Sequence, residues 1–191
     1  MKKLLIMAAI MLSSAGAFAQ HAVGTFNIAP KVGINFADLT DMDDSKVRVG
    51  AVIGAEGEYQ VTDIFSVTAG ALYSMQGCKI DVAGHKSTAK LDYINIPILA
   101  NVYVVKGLAV KLGVQPAFNV NSEFKVKTPL GEVENDVDAK SFDFSIPVGA
   151  SYEYKNFVVD ARYNLGLTKV ADHSDSKNSV FQITLGYKFD L

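Results

Sequence analysis

Residues 108–120 read "LAVKLGVQPAFNV". Leu108, Val110, Leu112, Val114, Pro116, Phe118 and Val120 share one parity, and Ala109, Lys111, Gly113, Gln115, Ala117 and Asn119 the other. A two-residue period of this kind is a strand with one apolar and one polar face. A soluble barrel turns the apolar face inward and a membrane barrel turns it outward. The direction of that face therefore decides the class of protein.

Seven other runs repeat the pattern: 26–37, 47–60, 65–76, 92–104, 142–154, 157–168 and 180–189. The fourth of the chain's eight runs, "DYINIPILANVYV", is the least regular, because Tyr93, Pro97 and Leu99 stand beside Asn95 and Asn101 on its polar parity. The runs are as long as the ~9–11 residues a tilted strand needs to cross hydrocarbon. Soluble strands are mostly ~5–6 residues long. Connections alternate in length: 38–45, 77–90, 121–141 and 169–178 read as long loops, whereas "VTDI", "VKG" and "KN" are short turns. An even number of strands with short turns on one side and long loops on the other predicts an all-β, eight-stranded antiparallel up-and-down transmembrane β-barrel. Both termini then share the periplasmic end with the short turns.

The chain opens "MKKLLIMAAIMLSSAGAFAQ", with Lys2 and Lys3, an apolar stretch and a small-residue site at Ala17-Phe18-Ala19. This predicts an export signal over 1–19, cleaved before Gln20, and a single barrel domain over 20–191. No later stretch has the ~18 apolar residues of a membrane helix. The mature chain can span a bilayer only as a closed barrel, since an open sheet would leave backbone donors unpaired in lipid. Cys78 is the single cysteine, so no intrachain disulfide forms, and the formal net charge is −2. With basic and acidic residues interspersed, a nucleic-acid partner has no support.

Glycine and charge orient the faces. Gly33, Gly54, Gly70, Gly113, Gly149, Gly166 and Gly186 all lie on the polar parity. A strand face open to water gains nothing from glycine, whereas a narrow barrel interior needs small residues among long polar ones. The same parity carries Lys31, Arg48, Lys111, Arg162 and Lys188 against Glu56, Glu58, Asp143, Glu153 and Asp160. Balanced charge suits a confined interior, where an unpaired ion costs several kcal/mol. These ten residues are expected to form a salt-bridged network filling the lumen. Val110, Leu112, Val114, Ile146, Val148, Val159, Ile183 and Leu185 are expected to face lipid. Aromatic residues near the run ends suggest interfacial girdles. Pro30, Pro97, Pro116 and Pro147 should mark bulges or strand ends, because proline removes a ladder donor.

The segments "KVGINFADL", "ALYSMQG", "LDYINIPILANVYVVKGLAVKLGVQPAF", "ARYNLGLTKV" and "ITLGYKF" occur in this order along the chain. On them the sequence resembles the PorT-like outer-membrane β-barrel family of Gram-negative bacteria, often labelled "porin family". The resemblance implies the barrel fold and the outer membrane, with lipid and lipopolysaccharide around it, and assigns no activity. Phe181, Ile183, Leu185, Tyr187 and Phe189 also resemble the C-terminal segment by which barrel-assembly machinery accepts clients. Asp190 and Leu191 follow here, where that pattern ends on the aromatic.

The expected role is structural or interactive, through loops that meet an unidentified extracellular partner. Three alternatives compete with it. A narrow porin-like channel is opposed by an interior only wide enough for side chains. An outer-membrane hydrolase or acyltransferase would need convergent residues on rigid elements, and "HKS" (85–87) and "HSDS" (173–176) are loop clusters. A soluble lipocalin-like barrel would expose the glycines. Asp38, Asp41, Asp43 and Asp44 lack the EF-hand spacing, and 121–141 reads as a mobile surface segment. No cofactor and no metal are expected.

Overall fold

The computed structural model describes residues 21–40, 45–82, 85–128, 131–136, 140–171 and 175–191. The proposed export signal at 1–19 and Asp41, Asp43, Asp44, His173 and Ser174 lie outside them. The elements are β1 (Phe26–Leu39), β2 (Ser45–Thr62), β3 (Phe65–Val82), β4 (His85–Asn95), β5 (Ile98–Val105), β6 (Leu108–Thr128), β7 (Gly131–Asp136), β8 (Phe142–Tyr154), β9 (Phe157–Lys169), β10 (Lys177–Tyr187) and β11 (Phe189–Asp190).

All pairings are antiparallel, and the ring of eight closes where β1 meets β10, from Lys31 opposite Gly186 to Leu39 opposite Asn178. Closure leaves no strand edge in the ring, which lets backbone groups sit in hydrocarbon.

Eleven elements make eight staves because proline interrupts the ladder at two places and β7, which pairs only with the end of β6, stands outside the ring. β4 and β5 form one stave broken at Ile96–Pro97: both pair with β3 in one continuous register, Leu72 opposite Asn95 and Ala69 opposite Ile98. Gly70 N–H donates to the Pro97 carbonyl at 3.2 Å across the gap. Pro30 interrupts the closing seam in the same way, between Lys31 opposite Gly186 and Ile28 opposite Phe189. There Lys188 N–H donates to the Asn156 carbonyl at 2.7 Å instead.

Two expected loops are corrected. The stretch 77–90 is mostly the far halves of β3 and β4, paired from Gly77 opposite Lys90 to Val82 opposite His85. The stretch 121–141 is mostly a hairpin, the end of β6 with β7, paired from Glu123 opposite Asp136 to Thr128 opposite Gly131. β4 also pairs with β6, up to Lys86 opposite Lys127. The ladder thus runs past the ring as a four-stranded sheet, at the end away from the termini. Its strands carry few large apolar residues, so hydrophobic periodicity marks the membrane part and goes silent beyond it.

Candidate functional site

The interior of the ring holds the polar chemistry. Leu112 is 55% exposed on the outer surface, whereas Arg162 is 1% exposed and fully inside. Val110, Val114, Val148, Val159 and Leu185 are also exposed, and Ile146 and Ile183 are partly covered by neighbours.

The ten expected charged residues do not form one network. Five of them meet at mid-barrel, with Asp160 at the centre. Lys111 Nζ lies 2.7 Å and Lys31 Nζ 3.3 Å from Asp160 Oδ2, and Arg162 Nε donates to Asp160 Oδ1 at 2.7 Å. Glu56 closes the cluster, accepting from Lys31 at 2.5 Å and from Arg162 Nη2 at 2.8 Å. Three cations thus face two carboxylates. Such a group is held by mutual pairing, because removing one partner strands an ion in low dielectric.

A second cluster lies toward the termini. Lys188 Nζ is 2.7 Å from Glu153 Oε2 and 3.0 Å from Glu58 Oε2, so one cation faces two carboxylates. Its excess is opposite in sign to that of the central cluster. Glu58 Oε1 accepts from Tyr103 OH at 2.5 Å and from Ser66 Oγ at 2.7 Å. His21 caps the group, its Nε2 at 2.8 Å from Glu153 Oε1 and its Nδ1 at 3.1 Å from Asp190 Oδ1. An imidazole can donate from both nitrogens only when protonated. The hydrogen bond that the ring donates to Glu153 accordingly raises the His21 pKa, against the opposing effect of burial.

Arg48 and Asp143 stand apart from both groups. Arg48 donates to the Gln76 carbonyl and lies 3.7 Å from Asp92 Oδ1. Asp143 accepts from Thr168 Oγ1 and, at 3.2 Å, from Asn178 Nδ2. Asp92 also accepts from Tyr73 OH at 3.0 Å. Sequence reasoning missed Asp92, because strict alternation sends it outward. A register shift between Asp92 and Tyr93 on the β6 side lets both side chains be buried. Composition at the start of the irregular fourth run is the one signal that could have raised it. His21 and Tyr103 were missed as well: His21 meets Glu153 only through the closed ring, and Tyr103 reaches Glu58 across the intervening β3.

Glycine makes room for the central cluster. Across the ladder Gly149 stands opposite both Arg162 and Lys111, Gly70 opposite Glu56, and Gly54 and Gly186 opposite Lys31. A Cβ on Gly149 would come within 2.7 Å of Arg162 Cβ, and one on Gly70 within 2.7 Å of Glu56 Cγ. Long side chains therefore lie flat over bare backbone. A cavity among Asn27, Glu58, Thr68 and Lys188 measures about 10 Å³, close to one water-sized sphere.

Toward the far end the interior turns apolar. Leu39, Cys78, Leu91, Tyr93, Ala117 and Val170 pack together there, with Ile80 and Ala89 against them. This plug was not read from the sequence. Of the candidate nucleophile and metal clusters, Asp175 pairs with Lys169, and Asp38 Oδ1 accepts from Ser45 Oγ at 2.8 Å. Among the described residues no group of three or more metal-ligating side chains comes together.

A closed ring with an apolar exterior, an ionic interior and short turns beside both termini defines a small membrane-spanning β-barrel. The family model for the outer membrane protein beta-barrel domain matches residues 18–172. The chain belongs to that family and is a small outer-membrane β-barrel protein. No curated relative matches it. Among solved structures it is similar to Ail, the attachment invasion locus protein of Yersinia pestis, at 15% identity and TM-score 0.52, covering 88% of this chain and 100% of that one. It is likewise similar to Neisserial surface protein A (14%, TM-score 0.53, 86% and 97% covered). Similarity to OprG of Pseudomonas aeruginosa is comparable (17%, TM-score 0.51, 88% and 97% covered). At these identities the likeness speaks for the fold alone.

Proposed function

We propose that this protein is a monomeric, non-conducting and non-enzymatic barrel of the PorT-like kind, which presents its far-end sheet and loops to an extracellular partner. In this reading residues 1–19 are removed on export and both termini face the periplasm. Lipid and lipopolysaccharide surround the outer face, and Phe181, Ile183, Leu185, Tyr187 and Phe189 form the segment read by the assembly machinery. The last two aromatics of that segment pack together, Tyr187 and Phe189 with tilted rings 4.8 Å apart at their centroids, and Tyr187 meets Phe157 edge-on at 5.1 Å.

The observation that carries the reading is the contrast between a lumen occupied by ionic side chains and a sheet that projects past the ring. A filled lumen leaves no path for solute. A projecting sheet offers backbone and side chains where no lipid covers them. Two measurements test it. Single-channel recording in planar bilayers should give no steady openings, and stable conductance would overturn the filled interior. Replacing residues 122–139 by a two-residue Asn-Gly turn should leave the boiling-dependent gel shift of the folded barrel intact and abolish partner binding. Full binding after that deletion would overturn the role of the sheet.

A further inference from the structure

The terminal end of the barrel carries its outward positive charge on one side. Lys106, in the turn between β5 and β6, and Lys155, in the turn between β8 and β9, flank the β6–β8 ladder. Glu153 N–H donates to the Gly107 carbonyl at 2.7 Å, tying the first turn to the end of β8. Between the two lies an open groove of about 410 Å³ lined by Lys106, Tyr152, Glu153, Tyr154 and Lys155. Tyr152 and Tyr154 are exposed, and Lys155 Nζ sits 5.7 Å from the Tyr154 ring centroid. The carboxylate of Glu153 is turned inward onto Lys188, so it does not neutralise the groove. Neither lysine has a carboxylate partner among the described residues. Asp63 and Asp190, the acidic residues of the same end, belong to the β2–β3 turn and to β11.

Lys155 also holds a backbone φ of +56°, in the left-handed region, where asparagine or glycine would be cheaper. The equivalent turn solves the same problem with Gly107, at φ +80°. A long cationic side chain kept at a strained position beside exposed tyrosines, at the rim of the lipid-facing surface, is an arrangement suited to a phosphate at headgroup depth.

We propose that this groove binds the headgroup of an anionic phospholipid, its phosphate between Lys106 and Lys155 and its acyl chains lying along the apolar face of β6 and β8. The site rests on the outer-membrane reading above and not on the identity of any loop partner.

The test is native mass spectrometry of the folded protein in detergent with equimolar phosphatidylglycerol and phosphatidylcholine of identical chains. Two surface cations should favour the glycerol lipid about thirtyfold, roughly fivefold from each lysine. Lys106→Gln and Lys155→Gln should each lose about fivefold and the pair should lose the preference, whereas Lys106→Arg with Lys155→Arg should keep it and Lys79→Gln should change nothing. Equal retention of both lipids by the wild type, or an unchanged preference in the glutamine pair, would overturn the site. Displacement of the lipid by millimolar glycerol 3-phosphate would overturn it too, as capture of free phosphate. The boiling-dependent gel shift separates the two levels: its absence in the wild type sinks the barrel reading, and its presence without lipid preference sinks only the groove.

Discussion

The same strands are built by opposite rules at their two ends. At mid-barrel β3 and β6 turn Thr68 and Lys111 inward and Val67 and Leu112 outward. Further along, β3 turns Cys78 inward into the apolar plug and leaves Lys79 exposed, opposite the exposed Lys46. The first arrangement is that of a protein in lipid, where the exterior must be apolar and the interior carries the polar groups. The second is that of a soluble protein, with its apolar side chains withdrawn from water. The switch along a single strand marks where the bilayer stops covering the barrel.

The comparison breaks most visibly at the ionic centre. Arg162→Met takes from Asp160 and Glu56 one of the two cations they share, the other being Lys31, with its three charge-assisted hydrogen bonds, and should cost about 3–5 kcal/mol. This would be measured by urea titration of the barrel refolded into vesicles. If the cost were below that of an ordinary surface change, the central cluster would not hold the lower half together.

On the outer face the expected cost falls with height. Leu112→Lys should cost ~2–4 kcal/mol at mid-bilayer, and Val47→Lys, level with Cys78 in the plug, ~0–1 kcal/mol. Similar costs at the two positions would move the membrane boundary above the plug. Gly149→Val should cost about 1–3 kcal/mol, because the added side chain presses on the Ala161 carbonyl and on Arg162. Its partner test is Ala109→Ser, a small change on the same inner face, which should be mild.

The smallest effect is in pH. His21 lies outside the strands, and its folded pKa is raised above the ordinary 6.5. Its contribution is therefore fully present below pH 6.5 and fades as pH rises through the raised value. His21→Gln should flatten that part of the stability–pH curve, read from midpoints of the same titration. A curve unchanged by the substitution would mean that the clasp on Glu153 and Asp190 does not form in solution.

Much of this was legible in the residues. The parity of glycine, charge and aliphatic side chains predicts eight staves and the direction of their faces. Residues 77–90 and 121–141 misled, because strands outside lipid need no apolar stripe and so look like loops. Asp92 misled because one bulge reverses the parity on which any alternation argument rests. Leu39, Leu91 and Val170 lie in stretches of mixed polarity that give no period to read.

Taken alone, the chain determines which side chains go in and which go out, since a period of two is a local property of the backbone. It does not determine which charges meet. Glu56 and Arg162 are 106 residues apart, and only closure of β1 onto β10 with its particular register brings them to 2.8 Å. Register is a property of the whole ring, so the two charge clusters, the apolar plug and the paired turns beneath Tyr152 and Tyr154 were decided by tertiary structure.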